Sequence, residues 1–182
     1  TSDCLQTYSH KIKELLILAC TEVENSFKEY NLGKNERTSD YVNLLAYIDL
    51  AKYKVSLIGY ADAFKSCPFE KWNKVEPTKS IPWYEAYTKL KHGSNKNFQC
   101  ATLEHCLNAI MANIILFAVR YSAKYLYKEN DICSNLISTF FDFRIEDCLD
   151  FYIPLIECIP IYPYPEQPYD FSNGITVTQL IG

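Results

Sequence analysis

The chain has few glycines and few histidines, and it lacks the common short motifs of enzymes. Its 5 glycines among 182 residues form no glycine-rich loop that could hold a phosphate. There is also no G-x-S-x-G nucleophile turn and no H-E-x-x-H pair. These absences exclude the sequence signatures of P-loop hydrolases, α/β-hydrolases and zinc proteases of that type.

The eight cysteines form no C-x-x-C pair and follow no regular spacing. Several of them fall within apolar runs, which predicts free, buried thiols rather than a disulfide framework. Their positions are Cys4, Cys20, Cys67, Cys100, Cys106, Cys133, Cys148 and Cys158.

Neither charge nor hydropathy favours a DNA-coating protein or a membrane protein. The formal net charge is -4, so any contact with nucleic acid must use a local basic patch. We find no apolar run of the ~18 to 20 residues that cross a membrane, and no signal-peptide pattern opens the chain. These observations predict a cytoplasmic protein with no membrane contact.

Apolar side chains are plentiful, with 48% hydrophobic and 15% aromatic residues. A chain of this length can bury about 70% of its unfolded surface. We therefore predict a single helical domain over 1–182, with a core bundle over about 8–128 and a C-terminal extension over about 130–182.

Apolar residues at three- and four-residue steps predict four helices and therefore a mainly helical, all-α fold. The first runs from Tyr8 to about Asn31, ahead of Gly33, and the second from Ser39 to about Lys54. The third runs from Pro82 to Gly93, and the fourth from about Asn97 to Lys128. The fourth is apolar on two sides, so we expect it at the centre of the bundle, with Ile114 and Phe117 in the core.

Apolar residues outside the main stripes of the helices predict a symmetric homodimer. They are Ile17 and Leu18 in the first helix and Ile115 and Val119 in the fourth. The alternative is that the Pro-rich segment from Ile153 to Tyr169 folds back over these faces within one chain.

The C-terminal region predicts irregular structure. Five prolines forbid one continuous helix there, namely Pro154, Pro160, Pro163, Pro165 and Pro168. Stretches 132–141 and 148–159 can pack as short helices or strands. The pair Asn173-Gly174 has the chemistry of a hairpin turn, which predicts a small terminal β-hairpin.

The candidate site lies at the end of the third helix, where Lys89, Lys91 and His92 precede Gly93. These cations can simply complement the carbonyls at the helix C-terminus. Alternatively, His92 moves a proton while the lysines hold a phosphate, as RNA cleavage by its own 2′-hydroxyl requires.

Aromatic and polar residues nearby extend this candidate site. Trp83, Tyr84 and Tyr87 can stack bases, although aromatics at helical spacing more often form core. Asn95 in the polar linker is a further candidate for ligand binding. We predict no metal site, because no histidine pair has the spacing of ligands on one helical face.

Glu22 lies at the edge of the apolar stripe of the first helix, whereas Glu24 is expected to point away from it. One interpretation of Glu22 is an ion pair with a basic residue of a neighbouring helix. The other is that Glu22 faces His92 and orients its imidazole.

Three stretches together resemble the HEPN-like class of small bacterial helical proteins from toxin–antitoxin and phage-defence systems. They are LLILACTEVENSFK, WYEAYTKLKHGSNKNF and ATLEHCLNAI, within residues 8–128. The resemblance implies an antiparallel helical bundle, frequent dimerisation, a protein partner encoded alongside, and in nuclease members metal-independent RNA cleavage without a cofactor.

The resemblance implies that the nuclease members carry an Arg, then four to six residues, and then the histidine that His92 matches. Here Glu85, Ala86 and Tyr87 stand at those positions. We therefore expect RNA or nucleotide binding through Lys89, Lys91 and His92, with weak or no RNase activity. The alternative is a non-catalytic helical interaction module or antitoxin-like subunit.

Overall fold

The computed structural model describes residues 2–29, 37–46, 48, 50–58, 64–93, 96–121 and 132–145. Within these ranges the protein is mainly helical, as the sequence predicts. It also contains a small antiparallel sheet, which the predicted all-α class lacks. The helices are α1 (Ser2–Leu5), α2 (His10–Glu29), α3 (Thr38–Tyr41), α4 (Pro82–Gly93), α5 (Leu103–Tyr121) and α6 (Ile132–Phe140). The strands are β1 (Tyr53–Leu57), β2 (Lys65–Ser66) and β3 (Phe141–Ile145), and short 3-10 turns lie at Val42–Ala46, Leu50–Lys52 and Phe98–Cys100.

The two long helices, α2 and α5, pack against each other and form the centre of the fold. The buried side chains of α2 recur at helical spacing, at Leu16, Ala19, Cys20, Val23 and Phe27. A polar contact also joins the pair, since the Asn113 side-chain amide donates to the carbonyl of Ala19 at 2.8 Å. The predicted central position of the fourth helix is confirmed.

The orientation of α5 differs from the prediction at three positions. Phe117, expected in the core, is 41% exposed, whereas Ile114 is buried as expected. Ile115 and Val119, expected to remain uncovered, are 0% and 1% exposed. Both side chains are already covered within one chain, so they give no support to a homodimer.

The window Leu103–Arg120 is long and apolar enough to cross a membrane by length and composition, with mean hydropathy 1.3. The expectation that no stretch of the chain has this property is therefore wrong. Half of the window is buried inside the protein. The central helix of a helical core has the same composition, so this feature by itself is weak evidence for a membrane.

The predicted second helix is wrong beyond its first turn. α3 ends at Tyr41, and two 3-10 turns lead into β1. Ser39 lies inside α3 rather than at its cap, which is Arg37. Only the last two residues of the predicted helix, Tyr53 and Lys54, pair with β3. The three-residue steps of the apolar side chains before them also fit 3-10 turns.

The sheet has the order β2-β1-β3, and both pairings are antiparallel. Val55 of β1 lies opposite Ser66 on one side and Phe143 on the other. Stretch 132–141 was predicted to be a short helix or a strand. It forms α6, and β3 follows directly at Phe141. Gly33, the helix end near Lys128, the segment 148–168 and the hairpin at Asn173-Gly174 lie outside the described residues.

Candidate functional site

α4 runs from Pro82 to Gly93, as predicted, and Asn97 holds the following chain against its last turn. The N–H of Asn97 donates to the carbonyl of Gly93 at 3.2 Å, and its side-chain amide donates to the carbonyl of Lys89 at 2.8 Å. A Cβ added to Gly93 would lie 3.1 Å from that amide nitrogen, so the close approach favours glycine. His92 remains exposed at this end of the helix.

The 3-10 turn Phe98–Cys100 contacts the other two histidines, His10 and His105. The ring of His10 lies 4.7 Å from the ring of Phe98, measured between centroids. The Nδ1 atom of His105 lies 2.8 Å from the carbonyl oxygen of Cys100. The turn therefore contacts His10 and His105, and Asn97 joins it to the end of α4 that carries His92. We call Gly93 and residues 96–102, together with these contacting side chains, the histidine end.

Both lysines of the candidate site already contact carboxylates. The Nζ atom of Lys89 lies 3.0 Å from Glu85, one turn earlier in α4. Lys91 lies 3.5 Å from Glu24 and also sits over the ring of Tyr87, at 5.3 Å from its centroid. The pKa of Lys91 is raised, because the nearby Glu24 carboxylate and Tyr87 outweigh the opposing effect of partial burial. Lys91 therefore stays charged, and the adjacent carboxylates partly offset the charges of both lysines.

The three aromatic residues of α4 belong to the core. Trp83, Tyr84 and Tyr87 are 2%, 4% and 4% exposed. The indole N–H of Trp83 donates to the carbonyl of Pro68 at 2.9 Å. Their rings are not available to stack on a base. The alternative interpretation, that these aromatic residues form core, is therefore correct.

Glu24, not Glu22, faces α4. Its carboxylate accepts hydrogen bonds from the hydroxyls of Tyr84 at 2.9 Å and Tyr87 at 3.1 Å. Glu22 is exposed on α2, so the prediction that placed Glu22 nearer the core than Glu24 is wrong. Glu24 lies one turn from the buried Cys20, on the side of α2 that packs against α4.

The buried tyrosines and cysteines act as neutral groups. Burial raises the pKa of Tyr84 and of Tyr87, and the adjacent Glu24 carboxylate adds to the rise. Burial also raises the pKa of Cys20, with a contribution from Cys106, and raises the pKa of Cys106 to about 11. Both cysteines are free, buried thiols, as predicted, and neither provides a thiolate near neutral pH. Cys4 is exposed instead.

The described side chains do not assemble a metal site. No group of three His, Cys, Asp or Glu residues within the described ranges is arranged to hold an ion. Asn95, the remaining predicted binding residue, lies outside these ranges.

The sequence did not single out an exposed aromatic group at the histidine end. The rings of Tyr8 and Phe98 are perpendicular, with centroids 5.5 Å apart, and His10 lies across Phe98 at an interplanar angle of 34°. Tyr8 is 45% exposed. The one signal in the sequence was Phe98, an aromatic residue that directly follows the polar stretch 94–97.

Comparison of the chain with protein families, curated proteins and solved structures found no match.

Proposed function

We propose that this protein is a HEPN-like binding protein for single-stranded RNA or nucleotide, and that it does not cleave RNA efficiently. The observation that carries the proposal is the position of the turn Phe98–Cys100, which contacts His10 and His105 and lies beside the end of α4 that carries the exposed His92. Imidazolium and ammonium groups donate charge-assisted hydrogen bonds to phosphate oxygens. His92 and Lys89 are both exposed at this end and can contact a phosphate.

The surroundings of the lysines favour binding over turnover. Attack by a 2′-hydroxyl builds negative charge on the phosphate, and a fixed cation must stabilise that charge. Lys89 lies 3.0 Å from Glu85 and Lys91 lies 3.5 Å from Glu24, so each lysine would have to leave a carboxylate. No arginine stands at the position where the nuclease members carry one.

The binding proposal can be tested with a fluorescent oligoribonucleotide of about twelve residues, in EDTA and at low salt. We expect His92→Ala combined with Lys89→Ala to raise the Kd by about tenfold or more, because phosphate contacts are lost. Lys79→Ala is a matched control, since Lys79 also forms an exposed pair within the chain, with Glu76 at 2.9 Å. Its Kd should match that of the wild type.

Two results would count against the proposal. One is an equal loss of affinity in Lys79→Ala, which would indicate non-specific attraction. The other is metal-independent cleavage by the wild type that persists in His92→Ala, which would place catalysis at a different residue.

A second candidate function, self-association, is supported by the outer face of α2. Leu15 and Leu18 are 45% and 59% exposed, and Lys11 and Glu22 flank them on the same face. When two copies of α2 pack antiparallel, Lys11 lies opposite the Glu22 of the second copy, and Leu15 lies opposite its Leu18. We propose this face as the interface of a homodimer.

Light scattering of purified variants tests the homodimer. We expect the wild type at micromolar concentration to have twice the monomer mass of 21.1 kDa. Glu22→Lys should yield monomers, because the new lysine then lies opposite Lys11 of the second copy. The symmetry of the pair repeats this repulsion at the other end of the interface. Adding Lys11→Glu should restore the dimer. A wild-type mass near 21.1 kDa would rule out this interface.

A further inference from the structure

The exposed rings at the histidine end form an ordered group. Phe98 is half-buried, and it supports two rings that face solvent. Tyr8 meets it edge-on at 5.5 Å, and His10 lies across it at 4.7 Å. Such offset and edge-to-face contacts are the arrangements that aromatic rings prefer.

Backbone contacts fix this group before any ligand arrives. Tyr8 forms an antiparallel bridge with Thr102 at the start of α5. The N–H of Leu103 donates to the carbonyl of Thr7 at 2.8 Å, and the Ser9 hydroxyl oxygen accepts an N–H in the first turn of α2. A ligand that stacks on these rings would therefore lose little affinity to the ordering of the protein.

The charges nearby indicate what kind of ligand this group suits. Lys11 lies 3.6 Å from Glu14, and the lysines of α4 also contact carboxylates. The net charge of the chain is -4, so general attraction to phosphate is small. Appreciable affinity for RNA must then come from the faces of the bases. Those faces are inaccessible in a duplex and accessible in a single strand.

We infer that Tyr8, Phe98 and His10 form a stacking platform for unpaired bases of a single-stranded RNA whose phosphates contact the end of α4. This inference rests on the proposed function and adds a base-binding site to it. The two parts adjoin, because Phe98 directly follows Asn97, which is hydrogen-bonded to Lys89 and Gly93 of α4. If these rings bind a protein instead, the chain should bind that protein and no RNA.

The decisive probe is a pair of oligoribonucleotides with equal numbers of phosphates, one normal and one in which abasic sites replace the central bases. We expect the wild-type protein to bind the abasic strand at least tenfold more weakly, since stacking contributes about that factor or more per base. The normal strand annealed to its complement should bind as weakly as the abasic strand.

Variants assign the effect to the platform. Tyr8→Leu with His10→Gln keeps an apolar side chain at position 8 and a polar one at position 10 but removes both rings. It should raise the Kd for the normal strand about tenfold. Tyr8→Phe keeps the ring and should bind like the wild type. The dependence on salt should be unchanged in the double variant and reduced in Lys89→Ala, because only the latter removes a phosphate contact.

The outcomes separate the platform from the proposed function. Equal binding of normal and abasic strands, with a loss in Lys89→Ala, would overturn the platform alone. Absence of binding to either strand would overturn both. The abasic comparison uses the wild-type protein, so it decides the matter even if the double variant fails to fold. Binding of a protein partner that Tyr8→Leu abolishes, without any RNA binding, would also refute the platform.

Discussion

Ile115→Ala should lower the free energy of unfolding by about 2–5 kcal/mol, measured by urea denaturation. The side chain is 0% exposed in α5, in the core that this helix forms with α2. Its removal leaves a cavity that the surrounding core fills only in part. Phe117→Ala is the control in the same helix, and it should cost clearly less than Ile115→Ala because that side chain is 41% exposed.

The comparison within one helix separates core packing from helix propensity, since both variants introduce the same residue. A loss in Phe117→Ala as large as that in Ile115→Ala would contradict the orientation of α5. Protein concentration should be kept low enough that the wild type is monomeric.

Glu24→Ala should lower the free energy of unfolding by about 1–3 kcal/mol, because it removes the acceptor of a buried hydroxyl. Tyr84 is 4% exposed and donates to Glu24 at 2.9 Å, so its hydroxyl would lose this partner while remaining out of water. Glu24→Gln keeps one acceptor oxygen and should cost less. Glu22→Ala, two residues away on the exposed face, should change stability by less than about 0.5 kcal/mol.

Equal losses in Glu24→Ala and Glu22→Ala would show that charge on α2, rather than the contact with Tyr84, determines the effect. A Tyr84→Phe variant adds a further check. In its background Glu24→Ala should cost less, since the buried donor is already gone.

The sequence predicted the helices whose apolar spacing extends over several turns. α2 shows this spacing over five turns, and α4 also has Pro82 and Gly93 at its ends. The predicted helix from Ser39 to about Lys54 was wrong because its apolar steps also fit 3-10 turns and its last two residues belong to a sheet. The partner of β1 in that sheet is β3, far along the chain, and local spacing carries no information about it.

The candidate site was harder to predict because it depends on how each helix is turned about its axis. Apolar spacing identified the buried stripe of α2, but not which flank of that stripe would meet α4. A rotation of part of a turn exchanges the positions of Glu22 and Glu24. The contact of Tyr8 and His10 with Phe98 joins the start of α2 to the turn before α5. These parts are far apart in the sequence, so no local pattern predicts the contact.

The pairing of α2 with α5 has a consequence for synthesis of the chain. The two helices lie on the order of 90 residues apart, as do β1 and β3, so ribosomes working at about 5–20 residues per second need roughly 5–20 s to supply the partner. During that interval Leu16, Val23 and Phe27 on the nascent chain have no core to enter. Slowing translation between residues 30 and 100 should therefore favour aggregation or chaperone binding, and faster delivery of α5 should favour soluble protein.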